Sequence, residues 1–162
     1  MKLGRAHALL IVGAVAALLA SCTPNGIGDS SGSGGGGGGG TNHVVDVNLT
    51  LNPIVQTPYG ESGGMSPAIT TVKVGDTIDF VNSDGFAHTA TSIPNATTFP
   101  AGSPFKQGAL TQSGATLSGG WSSGAMQAGS GSQTVQADKP GTYLFGCYFH
   151  YGAPMRGAIV AQ

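Results

Sequence analysis

The chain has 162 residues, enough for one ordinary domain, and only 8% of them are charged, for a formal net charge of −1 at pH 7. Its six Lys and Arg are scattered, so no basic patch exists to hold nucleic acid, and no nucleic-acid partner is expected. Two cysteines, Cys22 and Cys147, are all the chain contains.

In chain order, Lys2 and Arg5 form a short basic region and Ala8 to Ala20 is an uninterrupted run of 13 small and aliphatic residues. Leu19-Ala20-Ser21 stands directly before Cys22. This pattern predicts a secretory signal peptide over residues 1–21. The run is too short for a permanent span, which takes roughly 20 residues. The Leu-Ala-Ser-Cys ending resembles the bacterial lipobox, whose cysteine is acylated and becomes the new N-terminus. Acyl chains on Cys22 would hold the protein on a membrane surface, each buried methylene adding about 0.8 kcal/mol. In that resemblance Asp after the cysteine implies retention at the inner membrane. Thr23 therefore leans towards the outer membrane, and the expected location is the bacterial cell envelope, facing the periplasm or the cell surface. The competing reading of two cysteines in an exported chain is a disulfide. Acylation of Cys22 would instead leave Cys147 an unpaired thiol in an oxidising compartment, where a bound metal protects it. From Cys22 onward four basic side chains face seven acidic ones, a difference of −3.

Residues 22–42 carry Gly34 to Gly40 as an unbroken run among Ser, Asp and Asn, which predicts a flexible tether. They are not a phosphate loop, because no strand precedes the glycines and no Gly-Lys-Ser/Thr follows. The folded domain is expected over 43–162. Val45, Val47, Leu49 and Leu51 alternate with polar residues, the period of a half-buried strand. Ile69 to Val74, Thr77 to Asn82, Ala87 to Ser92, Gln133 to Ala137, Thr142 to Cys147 and Arg156 to Ala161 read as further strands, and Gly75-Asp76 and Ser83-Asp84-Gly85 as turns. No long 3.6-residue apolar period occurs, so the expected fold is all-β, an antiparallel β-sandwich. Residues 93–132 hold eight Gly, seven Ser and one charge, Lys106, in an irregular pattern. They read as a long insertion, either functional or disordered, in which Trp121-Ser122-Ser123-Gly124 opens a strand.

The chemistry concentrates near the C-terminus. Cys147, His150 and Met155 form a C-x2-H-x4-M pattern between two expected strands. A thiolate and an imidazole are strong copper ligands, and a thioether is a weak one suited to an axial position. A further imidazole must come from elsewhere, and His88 is the candidate, because His43 sits at the edge of the tether. Taken singly, a Met is more often core filler, a His a satisfied side chain and a Cys a small hydrophobe. Only the joint pattern points to a metal.

At these residues the chain resembles the cupredoxins, the small type 1 blue copper proteins, and within them the plastocyanin and pseudoazurin group. PGTYLFGCYFHYGAPMRGAIV (140–160) is similar to the family's strand, ligand loop and final strand, and VKVGDTIDFVNSDGFAH (72–88) to the strand pair delivering the first histidine. The resemblance covers about half of the chain. It implies a Greek-key sandwich with one mononuclear copper held by His88, Cys147, His150 and Met155. Thr89 stands where the family often has an Asn tying the two ligand segments together, so its hydroxyl is the candidate substitute for that tie. Phe149 stands where Pro often precedes the loop histidine. In the family that histidine meets solvent at an apolar patch, making His150 the expected electron port. Tyr148 and Tyr151 either border the port or pack nearby, and Phe86, Phe145 and Phe149 are candidates for excluding water.

The expected function is single-electron transfer between redox proteins by a monomeric, membrane-anchored domain. The alternative is copper buffering or delivery, and a third reading is an adhesive sandwich with a coincidental metal site. An enzyme such as a multicopper oxidase or copper nitrite reductase needs further histidines, and beyond the expected signal peptide, which contains His7, only His43 remains. No HExxH, phosphate loop or serine triad is apparent. The Asn48-Leu49-Thr50 and Asn95-Ala96-Thr97 triplets are read as chance.

Overall fold

The computed structural model describes residues 39–162; the expected signal segment, the acylation candidate Cys22 and the tether up to residue 38 lie outside them. Among the described residues no helix is long and apolar enough to cross a membrane. The chain forms β1 (Asn42–Val47), β2 (Val55–Thr57), β3 (Gly60–Ser62), β4 (Met65–Ser66), β5 (Ile69–Val72), β6 (Thr77–Asn82), β7 (Thr91–Ser92), β8 (Gln112–Thr116), β9 (Gly120–Ser123), β10 (Val135–Gln136), β11 (Gly141–Gly146) and β12 (Arg156–Ala161). A single turn of 3-10 helix covers Gln107–Leu110. The all-β class expected from the sequence is what forms.

Ten strands pair in the order β4-β1-β6-β10-β8-β9-β7-β11-β12-β5, and β2 and β3 make a separate hairpin. The pairing is mixed rather than wholly antiparallel: β1 with β6, β10 with β8, and β12 with β5 run parallel. Parallel pairing needs a crossover of a dozen or more residues. The 29 residues between Val47 and Thr77, which include the β2–β3 hairpin, supply one for β1 and β6.

The sheet closes over on itself. Phe80 of β6 lies 5.2 Å from the ring of Phe145 on β11, although four strands separate β6 and β11 in the pairing order. On β6 the alternation is strict: Ile78, Phe80 and Asn82 point inward, while Val81 is exposed. These side chains join Val45, Val47, Phe145, Ile159 and Trp121 in one core. β12 instead buries three successive residues, Gly157, Ala158 and Ile159. Its outer face is covered too, because Ala158 and Leu144 pack in a second cluster with Ile93, Phe99 and Phe105.

That second cluster accounts for much of the 93–132 insertion. The segment is ordered structure: its first part seals the outside of β11 and β12, and β8 and β9 then form a hairpin beside β7. Gly114 at φ +64° sits where a Cβ would come within 2.1 Å of the Gly120 carbonyl oxygen, so the register shift in this hairpin requires glycine there.

β1 stops at Val47, short of the expected alternation through Leu51. The Asn48 side-chain oxygen accepts the backbone N–H groups of Thr50 (3.0 Å) and Leu51 (2.8 Å), an Asx-type turn that bends the chain out of the strand. The expected Ala87–Ser92 strand is likewise only β7 plus an isolated bridge between His88 and Met126.

Candidate metal centre

Three segments meet beyond the end of β6. The 83–88 turn is organised by Asn82, a fully buried amide whose nitrogen donates to the carbonyls of Phe86 (2.8 Å) and Met126 (3.0 Å) and whose oxygen accepts the Asp84 N–H (2.9 Å). The His88 backbone exchanges hydrogen bonds with Met126 at 3.1 and 2.8 Å. The histidine is thereby fixed between the turn and the insertion. The loop from Cys147 to Met155 closes on itself: Cys147 N–H donates to the Met155 carbonyl at 2.9 Å, and Ala153 N–H to the His150 carbonyl at 2.9 Å. A third strip, Gly63-Gly64, accepts the Arg156 N–H and donates to the Pro154 carbonyl.

His88, Cys147 and His150 converge. Cys147 Sγ lies 3.7 Å from Nδ1 of each histidine, and the two Nδ1 atoms are 3.1 Å apart. The point equidistant from these three atoms is about 2.0 Å from each, close to the metal–nitrogen (about 2.0–2.1 Å) and metal–thiolate (about 2.3 Å) lengths of zinc sites with the same donors. Three soft or borderline donors on one small triangle fit a single copper ion. Met155 is fully buried beside them in the core cluster that holds Cys147. Gly64, at φ +68°, faces the Met155 side chain so closely that a Cβ would lie 2.6 Å from Met155 Cγ.

The surroundings differ from donor to donor. Burial pushes the Cys147 thiol up, against the opposing effect of backbone N–H groups including that of Thr89, which approaches Sγ to 3.4 Å. Metal uptake at a buried thiol displaces its proton. The Thr89 hydroxyl oxygen accepts the Tyr148 N–H at 2.9 Å, so it links the two ligand-bearing segments. His88 is fully buried, and its Nε2 lies 3.1 Å from Asp84 Oδ2. Burial raises the Asp84 carboxyl, but hydrogen bonds from Gly85, His88 and Leu49 outweigh it, and the net shift is downward. His150 is half-buried, and burial followed by the neighbouring His88 lowers it, against a raising effect of Asp84.

Phe86 and Phe149, both 44% exposed, flank His150 at ring-centroid distances of 5.3 and 6.1 Å. Phe145 is in the core. Tyr148 is half-buried with its ring 5.4 Å from Phe149, whereas Tyr151 is buried, its ring against Phe105 and under the Arg156 guanidinium. Of the two tyrosines only Tyr148 is at the surface. Reading the sequence missed Asp84, Gly64 and Met126. Asp84 had a signal, an acidic residue four before a ligand histidine, but it also suits a turn, and the turn reading absorbed it.

The family model for copper binding proteins of the plastocyanin/azurin family matches residues 59–162. No curated protein sequence matches significantly. Among solved structures, a purple cupredoxin from Nitrosopumilus maritimus is 15% identical with a TM-score of 0.47, covering 74% of this chain and 99% of its own. The reduced auracyanin from Roseiflexus castenholzii is 17% identical with a TM-score of 0.46, covering 77% and 99%. The oxidised plastocyanin from Dryopteris crassirhizoma is 19% identical with a TM-score of 0.44, covering 74% and 99%. The matched span contains His88, Cys147 and His150, the donors that converge on one point, and the chain belongs to the plastocyanin/azurin family of copper-binding proteins.

Proposed function

We propose that the protein is a type 1 blue copper electron carrier of the bacterial cell envelope, in which His88, Cys147 and His150, with Met155 beside them, would hold one copper ion. The observation that carries this reading is the buried triangle of Cys147, His88 and His150 with only His150 reaching towards solvent. Copper held there would supply one-electron chemistry, Cu(II)/Cu(I). The chain supplies a fixed donor set. His88 is locked by its turn, the Cys147–Met155 loop by its own hydrogen bonds, and both by Thr89, so little rearrangement accompanies a change of charge. Phe86 and Phe149 exclude water around His150 and present it as the electron port to donor and acceptor proteins.

A carrier rather than an enzyme is supported by the histidine inventory. The one histidine left among the described residues, His43, is engaged by Asp76 at 3.0 Å. The alternative, copper buffering or delivery, calls for exposed and exchangeable donors, whereas Cys147 and His88 are fully buried. The lipobox-like Leu-Ala-Ser-Cys22 and the glycine run support a lipid-anchored monomeric domain, outer membrane preferred, that reaches its partners on a tether. Rapid reversible voltammetry of the copper-loaded protein, without metal loss over repeated cycles, is expected. Stoichiometric hand-off of copper to an apo-acceptor would favour delivery instead.

A further inference from the structure

The two imidazoles are held in unlike ways. His88 and Asp84 form a buried pair, their side chains 0% and 7% exposed, with Nε2 to Oδ2 at 3.1 Å. The carboxylate is itself immobilised. Oδ2 also accepts the Leu49 N–H at 2.9 Å, and Oδ1 accepts the Gly85 N–H at 2.8 Å and faces the Thr50 hydroxyl at 3.4 Å. The Asp84 N–H is pinned to Asn82. Among the described residues no carboxylate lies within ion-pair distance of His150.

A carboxylate accepts and cannot donate, so the ring nitrogen facing it carries the proton. The other nitrogen, Nδ1, then presents its lone pair, and it is Nδ1 that faces Cys147 Sγ at 3.7 Å. A carboxylate behind a ligating histidine fixes tautomer and ring orientation and makes the imidazole a stronger donor. A stronger donor and a fixed negative charge both favour the more highly charged metal ion, with little water to screen them.

We propose that Asp84 is a positioning residue for the copper site, fixing the Nε2-protonated form of His88 and holding the Cu(II)/Cu(I) potential below the value a neutral acceptor in its place would give. The proposal rests on the redox copper reading above. It divides the imidazoles' work: His88 sets the electronic character of the site, and His150 serves as its contact with the outside.

Asp84→Asn replaces the charge by an amide of the same shape and is measured by spectroelectrochemistry. The potential should rise so that Cu(I) is favoured at least tenfold more than in the native protein, about 59 mV for one electron. A potential unchanged within a factor of two, in a variant that keeps its blue band, overturns the role of Asp84 while leaving the copper reading standing. A native protein without a blue band overturns that reading itself. Each Asp84 oxygen faces two donors, so the amide strains the turn, and a second measurement needs no mutation. In the Cu(I)-loaded native protein, the His88 Nε2–H resonance should appear at low field and exchange slowly. A resonance at the position of a free imidazole N–H, exchanging rapidly, contradicts the carboxylate bond.

Discussion

The parallel pair β1 and β6 carries a histidine–aspartate pair at each end. At one end His43 meets Asp76 at 3.0 Å, with the histidine side chain 28% exposed; at the other His88 meets Asp84 at 3.1 Å with the histidine fully buried. The chemistry of the two contacts is the same, and their consequences differ. Asp76 ties the start of β1 to the turn before β6, also accepting the N–H groups of Thr41 and Lys73, and its carboxyl is lowered to about 2 chiefly by those backbone bonds. Asp84 sits behind a ring whose other nitrogen faces a thiol and a second histidine. What surrounds the far side of the imidazole decides whether such a pair is a latch or part of a site.

The largest effects should come from exchanging the two histidines' fates. His88→Ala removes one of three strong donors, and the visible band should vanish with copper affinity down by more than about 100-fold, beyond the usual reach of changes behind a ligand. His43→Ala should leave spectrum and affinity unchanged and cost less than about 1 kcal/mol in denaturant titration. Equal losses from both would dissolve the distinction. Next in size are two glycines with positive φ. Gly64→Ala meets the Met155 side chain, and strain of about 1–3 kcal/mol should come with a shifted copper spectrum. Gly75→Ala, in open space beside Asp76, should be strained but spectrally silent.

Thr89→Val keeps the shape and strands the Tyr148 N–H, for about 1–3 kcal/mol and a looser ligand loop. The smallest effect is at the latch. The folded-state pKa of Asp76 lies below its ordinary value of 3.8, so its stabilisation is complete above about pH 4 and is lost as pH falls towards 2. Melting temperatures of Asp76→Asn and the native protein should therefore differ at pH 5 and converge near pH 2. A constant gap would contradict the latch.

Strands with strong alternation and clear stops were legible. β6 and β12 have the bounds read from their residues, because TIDFVN lies between the Gly75-Asp76 and Ser83-Asp84-Gly85 turns and RGAIVA follows a loop with Pro154. Met65-Ser66 and Gln112–Thr116 carry no apolar period, and their pairing is set by neighbours the local sequence does not contain. The same holds for the site. The donors Cys147 and His150 announce themselves by spacing, and His88 by elimination. Asp84 and Gly64 matter only because the fold brings them against His88 and Met155, and a turn Asp and a loop Gly look alike wherever they stand.

The visible and electron spin resonance spectra of the Cu(II)-loaded domain test the central claim most directly. An intense thiolate-to-copper absorption with narrow copper hyperfine splitting, abolished in Cys147→Ala, is the predicted result. A colourless Cu(II) complex with ordinary splitting would contradict it.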